Sequence, residues 1–270
     1  VKISSDGNLG LEEGQKFERG GIYRFTVDVT KGNTKAVLTV EKVGKVDLPA
    51  PDIFFGNSKM EVTDTDIYKS DQVFTRGQMI TVTGIDNLNE WWIDPDFFEK
   101  QSDGTLKFLP INGDYRVTAN GILKYFSVIA LKDGKPAKLQ DDGTGAIWAI
   151  GKGIGKPSVT SSEVGWETGK ALCLAQVAPK KYQLTLKAGE TLKTSGDWEA
   201  ISFKFFYQND WGGEFSNYAS NTLVEQLKLT GSGNLEMQDN KAFEEGGVYR
   251  FTIDVTNGNA NAILKVEKIN

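Results

Sequence analysis

The residues with most to say about chemistry are the six tryptophans, at positions 91, 92, 148, 166, 198 and 211. Three of them sit among turn formers, in Gly165-Trp166-Glu167, Asp197-Trp198 and Asn209-Asp210-Trp211-Gly212-Gly213. Turns run over the surface, so an indole there is a candidate platform as much as a core residue. Trp148, within Ile147-Trp148-Ala149-Ile150, reads as core. An exposed indole offers a flat apolar face with a polar edge. Pyranose rings present patches of C–H to such a face, while their hydroxyls seek Lys, Asn, Asp and Gln. Both kinds of group occur together near the end of the chain. Phe203 and Phe205 alternate with Lys204, which points away from them if the strand is regular. Asn209, Asp210 and Glu214 flank Trp211. The candidate ligand contacts are therefore Trp166, Trp211, Lys204, Asn209 and Asp210.

A second patch is Trp91-Trp92-Ile93-Asp94-Pro95-Asp96-Phe97-Phe98. Adjacent indoles on a strand face opposite sides, so at most one reaches a ligand, and Trp92 is the candidate. The plainer reading puts one ring in the core and the other over an edge. Burying about 100 Å² of one indole face is worth roughly 2–3 kcal/mol before ordering costs. That sets an expected dissociation constant in the millimolar to high-micromolar range per site, raised for a polymer by several domains in a row.

Routes to catalysis are few. The chain has no histidine, which removes His-based zinc sites and the Ser-His-Asp and Cys-His nucleophiles. Its one cysteine, Cys173 in Ala171-Leu172-Cys173-Leu174-Ala175, reads as a small buried strand residue and has no partner for a disulfide. Glycosidases use two carboxylates flanking the scissile bond, and Asp94 with Asp96, Asp141 with Asp142, and Glu214 are available. Such pairs arise in any acidic protein, and solvated loop residues are the simpler reading. Asp64-Thr65-Asp66 lacks the spacing of an EF-hand calcium loop. Gly151-Lys152-Gly153-Ile154-Gly155-Lys156-Pro157 puts proline where a phosphate loop needs a hydroxyl. The expectation is a protein that is not an enzyme and uses neither metal nor cofactor.

The elements that must position these residues are β-strands. Residues 7–42 align without a gap onto 233–268, with about half the positions identical. Gly20-Gly21-Ile22-Tyr23-Arg24-Phe25-Thr26-Val27-Asp28 becomes Gly246-Gly247-Val248-Tyr249-Arg250-Phe251-Thr252-Ile253-Asp254, and a weaker copy is Gly113-Asp114-Tyr115-Arg116-Val117-Thr118. Each copy alternates apolar and polar residues and then turns, at Lys31-Gly32-Asn33 or Asn257-Gly258-Asn259, as a β-hairpin does. A lone hairpin is marginal in water, so each must complete a larger sheet. The organisation predicted is all-β, tandem immunoglobulin-like β-sandwich domains. Residues 1–46 would be the C-terminal hairpin of a first domain, 47–137 a second domain, and 138–270 a third resembling a carbohydrate-binding module. Residues 221–229 offer at best one short helical turn. At 270 residues with a net charge of −5 and both signs interspersed, the chain offers no basic stripe to nucleic acid. No run approaches the ~20 apolar residues of a membrane span. Val1 is not a natural start, so an N-terminal targeting segment is expected to have been lost.

From residue 147 onward the order of features resembles one domain of the starch-utilisation-system E/F-type outer-membrane lipoproteins. The likeness rests on Ile147-Trp148-Ala149-Ile150-Gly151, Gly165-Trp166, Phe203-Lys204-Phe205, Trp211 and the closing Gly247-x-Tyr249-x-Phe251-Thr252-x-Asp254. It covers nearly half the chain well. Residues 51–132 match only through Gly113-Asp114-Tyr115, and residues 1–46 only as a hairpin. The resemblance implies a lipid-anchored protein at the cell surface of a Gram-negative bacterium, in the outer membrane, holding polysaccharide or oligosaccharide beside a transporter complex. It implies an aromatic platform with Lys, Arg or Asn contacts, onto which Trp166, Lys204 and Trp211 fall by position. The middle domain lacks the Gly-Trp and Phe-Lys-Phe elements, so there it implies a spacer or a different mode of binding. The rival reading is a structural or adhesive surface spacer whose tryptophans are all core.

Overall fold

The computed structural model describes residues 2–3, 9–10, 17–18, 20–196 and 200–270, so Trp198 and the opening of the first repeat copy lie outside the described residues. The chain is nearly all β, with 47% of residues in strands and 6% in helices. It separates into two compact units, residues 1–51 and 52–270.

In the first unit, β1 (Gly21–Asp28) and β2 (Val37–Lys45) form an antiparallel hairpin. Its turn passes through Gly32 at φ +92°, a conformation that side chains with a Cβ rarely adopt. Phe25 is 49% exposed, Val27 61% and Val37 55%.

The second unit has two halves. In the first, β3 (Ile67–Phe74), β4 (Gly113–Asn120) and β5 (Tyr125–Lys132) make the middle of a five-stranded sheet, with Glu61–Asp64 and Lys135–Pro136 at its edges. The period of two is visible in β4: Tyr115, Val117 and Ala119 are buried, while the residues between them are not. Small three-stranded sheets cover the buried face, and the core between them is aromatic. Phe55 packs on Phe74, Phe98 and Phe126 at centroid distances of 6.1, 5.5 and 5.2 Å.

The second half contains β6 (Trp148–Gly155), β7 (Glu163–Gly165), β8 (Lys181–Lys187), β9 (Ser202–Phe206), β10 (Leu235–Met237), β11 (Val248–Asp254) and β12 (Ile263–Lys268). One sheet runs β7-β6-β9-β10 and ends on Leu227–Leu229; the other runs β8-β11-β12, edged by Ala175–Ala178 and Ser220–Thr222. Both bury side chains in one core. Phe203 and Phe205 of the first sheet meet Phe251 of the second at 5.5 and 6.4 Å. Residues 221–229, expected to hold a helical turn, instead supply two strands: Ser220–Thr222 pairs in parallel with β12, and Leu227–Leu229 pairs with β10. Cross-strand pairing there outweighs a weak local preference.

The repeat is faithful down to single hydrogen bonds. The Tyr23 hydroxyl accepts from the Glu18 N–H at 2.9 Å, and the Tyr249 hydroxyl accepts from the Glu244 N–H at 3.3 Å. Phe17 meets Tyr23 edge-on at 4.5 Å, as Phe243 meets Tyr249 at 4.6 Å. Tyr115 also reaches back, donating to the Ile111 carbonyl at 2.9 Å. The copies differ in what covers them. Phe251, Ile253 and Leu264 are completely buried, whereas their counterparts in the first unit include the exposed Phe25 and Val27.

The two halves of the second unit are joined by a buried charge cluster. Lys156 Nζ, at the end of β6, lies 2.7 and 2.9 Å from the two carboxylate oxygens of Asp94 and 3.2 Å from Asp96. Asp96 also accepts from Gln183 Nε2 at 2.7 Å and from the Thr185 N–H and hydroxyl, both at 2.6 Å, on β8. The reading of Asp94 and Asp96 as solvated loop residues is corrected here: they are 1% and 2% exposed. A buried carboxylate is tolerable when a cation and N–H donors replace its water, and these donors come from the other half of the unit. Burial pushes the Asp94 carboxyl above its ordinary range despite Lys156. Burial acts on Asp96 in the same direction, but the Lys156 charge and the Gln183 and Thr185 hydrogen bonds outweigh it and hold Asp96 low. Burial disfavours the Lys156 ammonium, yet the two carboxylates more than compensate and raise its affinity for the proton.

Candidate functional site

The outer face of the first sheet of the C-terminal half carries the aromatic pair. On β9 the burial alternates as expected around Lys204, which is partly exposed between the buried Phe203 and Phe205. Ser202, Lys204 and Phe206 share the face turned away from that core, opposite Lys152, Ile150 and Trp148 of β6. After Phe206 the chain makes a seven-residue excursion and returns, with the Tyr207 N–H donating to the Gly213 carbonyl at 2.7 Å and Phe206 bridging to Glu214. Gly212 and Gly213, at φ +86° and +70°, permit the reversal. The Trp211 N–H donates to Asp210 Oδ1 at 2.8 Å, and Gln208 Nε2 donates to the Trp211 carbonyl at 2.6 Å, so the loop is braced on both sides of the indole.

This loop lays Trp211 edge-on over Phe206, with centroids 6.0 Å apart, and beside Trp166, at 6.3 Å and an interplanar angle of 27°. Trp166 reaches the same place from the other direction. It follows β7, whose Gly165 pairs with Gly151 of β6. Trp211 is 51% exposed and Trp166 is partly buried beneath it. Two indoles from loops 45 residues apart thus make one apolar surface, with Lys204 two positions along the strand from the Phe206 that supports it, about 7 Å away. Asn209 is partly exposed and Asp210 is exposed, although one Asp210 oxygen is already engaged with its own loop. Such a surface can stack against the C–H face of a ring and offer an ammonium and an amide to its hydroxyls.

Trp92 lies elsewhere, at the junction of the two halves. Its neighbour Trp91 stacks in the core on Phe126 at 4.6 Å, while the Trp92 ring meets Tyr125 edge-on at 5.4 Å with Lys156 Nζ 5.9 Å from its centroid. Its indole N–H donates to Glu190 Oε1 at 2.5 Å, across the junction. The structure therefore brings Trp166 and Trp211 together beside Phe206, puts Lys204 on the same strand face as Phe206 and Asn209 and Asp210 in the Trp211 loop, and leaves Trp92 in a separate cleft. Trp148 is buried, its indole N–H donating to the Ala137 carbonyl at 3.0 Å. Asp94 and Asp96 converge on one ammonium and do not face each other across open space. Asp141, Asp142 and Glu214 are exposed. Cys173 is buried, and that burial pushes its thiol up to about 12. Among the described residues, no group of three or more His, Cys, Asp or Glu is placed to hold a metal ion, and no helix is long and apolar enough to cross a membrane. The residues missed by sequence reasoning are Lys156, which bonds Asp94 and Asp96, and Gln183 and Thr185 on β8, which donate to Asp96. Only the pairing of Asp94-x-Asp96 with a lysine in an apolar glycine-rich strand hinted at them.

Two family models match the chain. One is described as a domain of unknown function, DUF5121, and matches residues 1–30 and 142–256. The other is also described as a domain of unknown function, DUF5125, and matches residues 47–139. No curated protein matches the chain.

Proposed function

We propose that this chain, which belongs to the DUF5121 family, binds carbohydrate without catalysis through the Trp166–Trp211 platform. The observation that supports this reading best is the exposure of Trp211. It is half exposed, braced by its own loop and stacked beside a second indole, where an unliganded fold would gain more by burying it. Lys204, Asn209 and Asp210 supply the polar contacts that orient a sugar ring. In this reading each half of the second unit is an immunoglobulin-like sandwich, a view supported by the recurrent tyrosine that reaches back to backbone four or five residues upstream. The sequence resemblance extends the proposal to a lipid-anchored protein on the outer membrane of a Gram-negative bacterium, delivering polysaccharide or oligosaccharide to a transporter complex. The polymer contact would be weak per site.

The test is electrophoresis through gels cast with individual polysaccharides. The wild-type chain is expected to be retarded by one glycan class, and Trp211→Ala and Trp166→Ala to run freely in the same gel. Unretarded wild-type protein across α- and β-glucans, mannans, xylans and pectins would favour a structural or adhesive spacer.

A further inference from the structure

The repeat places an arginine at the same position in each copy, directly after the hairpin tyrosine: Arg24, Arg116 and Arg250. In the first copy Arg24 Nη1 bonds Glu41 at 2.9 Å. In the middle copy Arg116 forks onto Asp71 with two bonds of 2.7 Å. In the last copy the residue opposite Arg250 is again an acid, Glu267, but Glu267 pairs with Lys265 at 2.7 Å instead. Arg250 has no ion-pair partner among the described residues, and its Nε is buried with no hydrogen-bond partner. A guanidinium presents five donors in a planar fork, and leaving a buried one unused is costly.

Arg250 lines a cleft of about 350 Å³ between the 91–95 segment and the outer face of β8 and β11. Trp92, Ile93, Pro95, Val248 and Ile269 form its apolar walls. The one carboxylate on its rim, Glu190, is already held by Lys187 at 2.9 Å and by the Trp92 indole N–H. Its charge is therefore met before any ligand arrives. We propose that this cleft is a second binding site, distinct from the Trp166–Trp211 platform, for the acidic unit of a saccharide. The carboxylate of a uronic acid would take the fork of Arg250, and the pyranose ring would lie against the Trp92, Ile93 and Pro95 wall. The planar fork selects a carboxylate over a hydroxyl, and the volume suits about one or two sugar rings. That the ligand is a saccharide rests on the carbohydrate-binding reading above; that it carries a carboxylate rests on Arg250.

The test is an NMR titration of the chain with digalacturonate and diglucuronate, and with the neutral disaccharides of the same linkage. The expected result is a shift of the Trp92 indole N–H signal with a uronate, in the wild type and in Trp211→Ala alike. Arg250→Gln should weaken that uronate about tenfold or more and leave neutral sugars unaffected. If Arg250→Gln does not fold, Arg250→Lys keeps the charge and loses the fork, and should weaken the uronate at least severalfold. The proposal is overturned if neither uronate moves the Trp92 signal at millimolar concentration, or if binding survives Arg250→Gln undiminished. It is also overturned if binding is lost in Trp211→Ala, which would put the acidic sugar on the platform. Uronate binding at the cleft with no glycan on the platform would support this site and remove the other.

Discussion

The charge cluster that joins the two halves of residues 52–270 predicts an asymmetry between two similar substitutions, Asp96→Asn and Asp94→Asn. Asp96 accepts four hydrogen bonds, from Lys156, Gln183 and the Thr185 N–H and hydroxyl, and is held low in affinity for the proton. Replacing it removes the charge that offsets a fully buried ammonium and turns an acceptor-only group into one with donors that clash with those N–H groups. Breaking a buried ion pair from one side costs about 3–5 kcal/mol. For a unit of this size that corresponds to a fall in Tm of about 6–20 °C. Asp94 is held by Lys156 and the Asp96 N–H, and burial raises its affinity for the proton. Burial already works against the charge on Asp94, so an amide there should cost less than one at Asp96. The pH dependence has opposite signs for the two. The Asp96 contribution is present above the ordinary carboxyl value of 3.8 and is lost as pH falls through its lower folded value. The Asp94 carboxyl stabilises the fold below 3.8, and that contribution is lost as pH rises through its raised folded value. Asp94→Asn should therefore flatten the loss of stability as pH rises above 3.8, and Asp96→Asn the loss as pH falls below it. Urea denaturation of both variants across the acid to neutral range measures this. The reasoning is refuted if Asp94→Asn destabilises as much as Asp96→Asn at neutral pH.

Other outcomes follow from single sites. The Cys173 thiol, buried with its ionisation pushed to about 12, should react with a thiol reagent orders of magnitude more slowly in native protein than in urea; equal rates would place it at the surface. Gly151 sits at φ +140° with a Cβ position 2.4 Å from the Phe203 Cα, so Gly151→Ala should cost about 2 kcal/mol or more by thermal denaturation. Trp211 is half exposed, so Trp211→Ala should lower stability by only about 1 kcal/mol. A loss of several would mean that the indole is structural.

Which face of a strand is buried is legible from the sequence wherever only one face is, because a period of two puts Tyr249, Phe251 and Ile253 on the same side. The same pattern in Tyr23, Phe25 and Val27 predicted the hairpin but not its exposure, which depends on what packs against it. The strands in 220–229 escaped notice because three-residue edge strands are too short to show a period. Asp94 and Asp96 were misread because their burial depends on Lys156, some sixty residues downstream, and separation in sequence hides that pairing. The placing of Trp166 and Trp211 in turns was visible, and their meeting was not, since it depends on β7 and β9 flanking the same strand.

The central claim is that the Trp166–Trp211 surface takes a sugar ring, and tryptophan fluorescence during titration with a panel of soluble glycans tests it most directly. The account predicts a saturable shift with one glycan class, with a dissociation constant in the millimolar to high-micromolar range, and its loss in Trp211→Ala. A flat response to every neutral and acidic glycan, or a response that Trp211→Ala and Trp166→Ala leave unchanged, would contradict it.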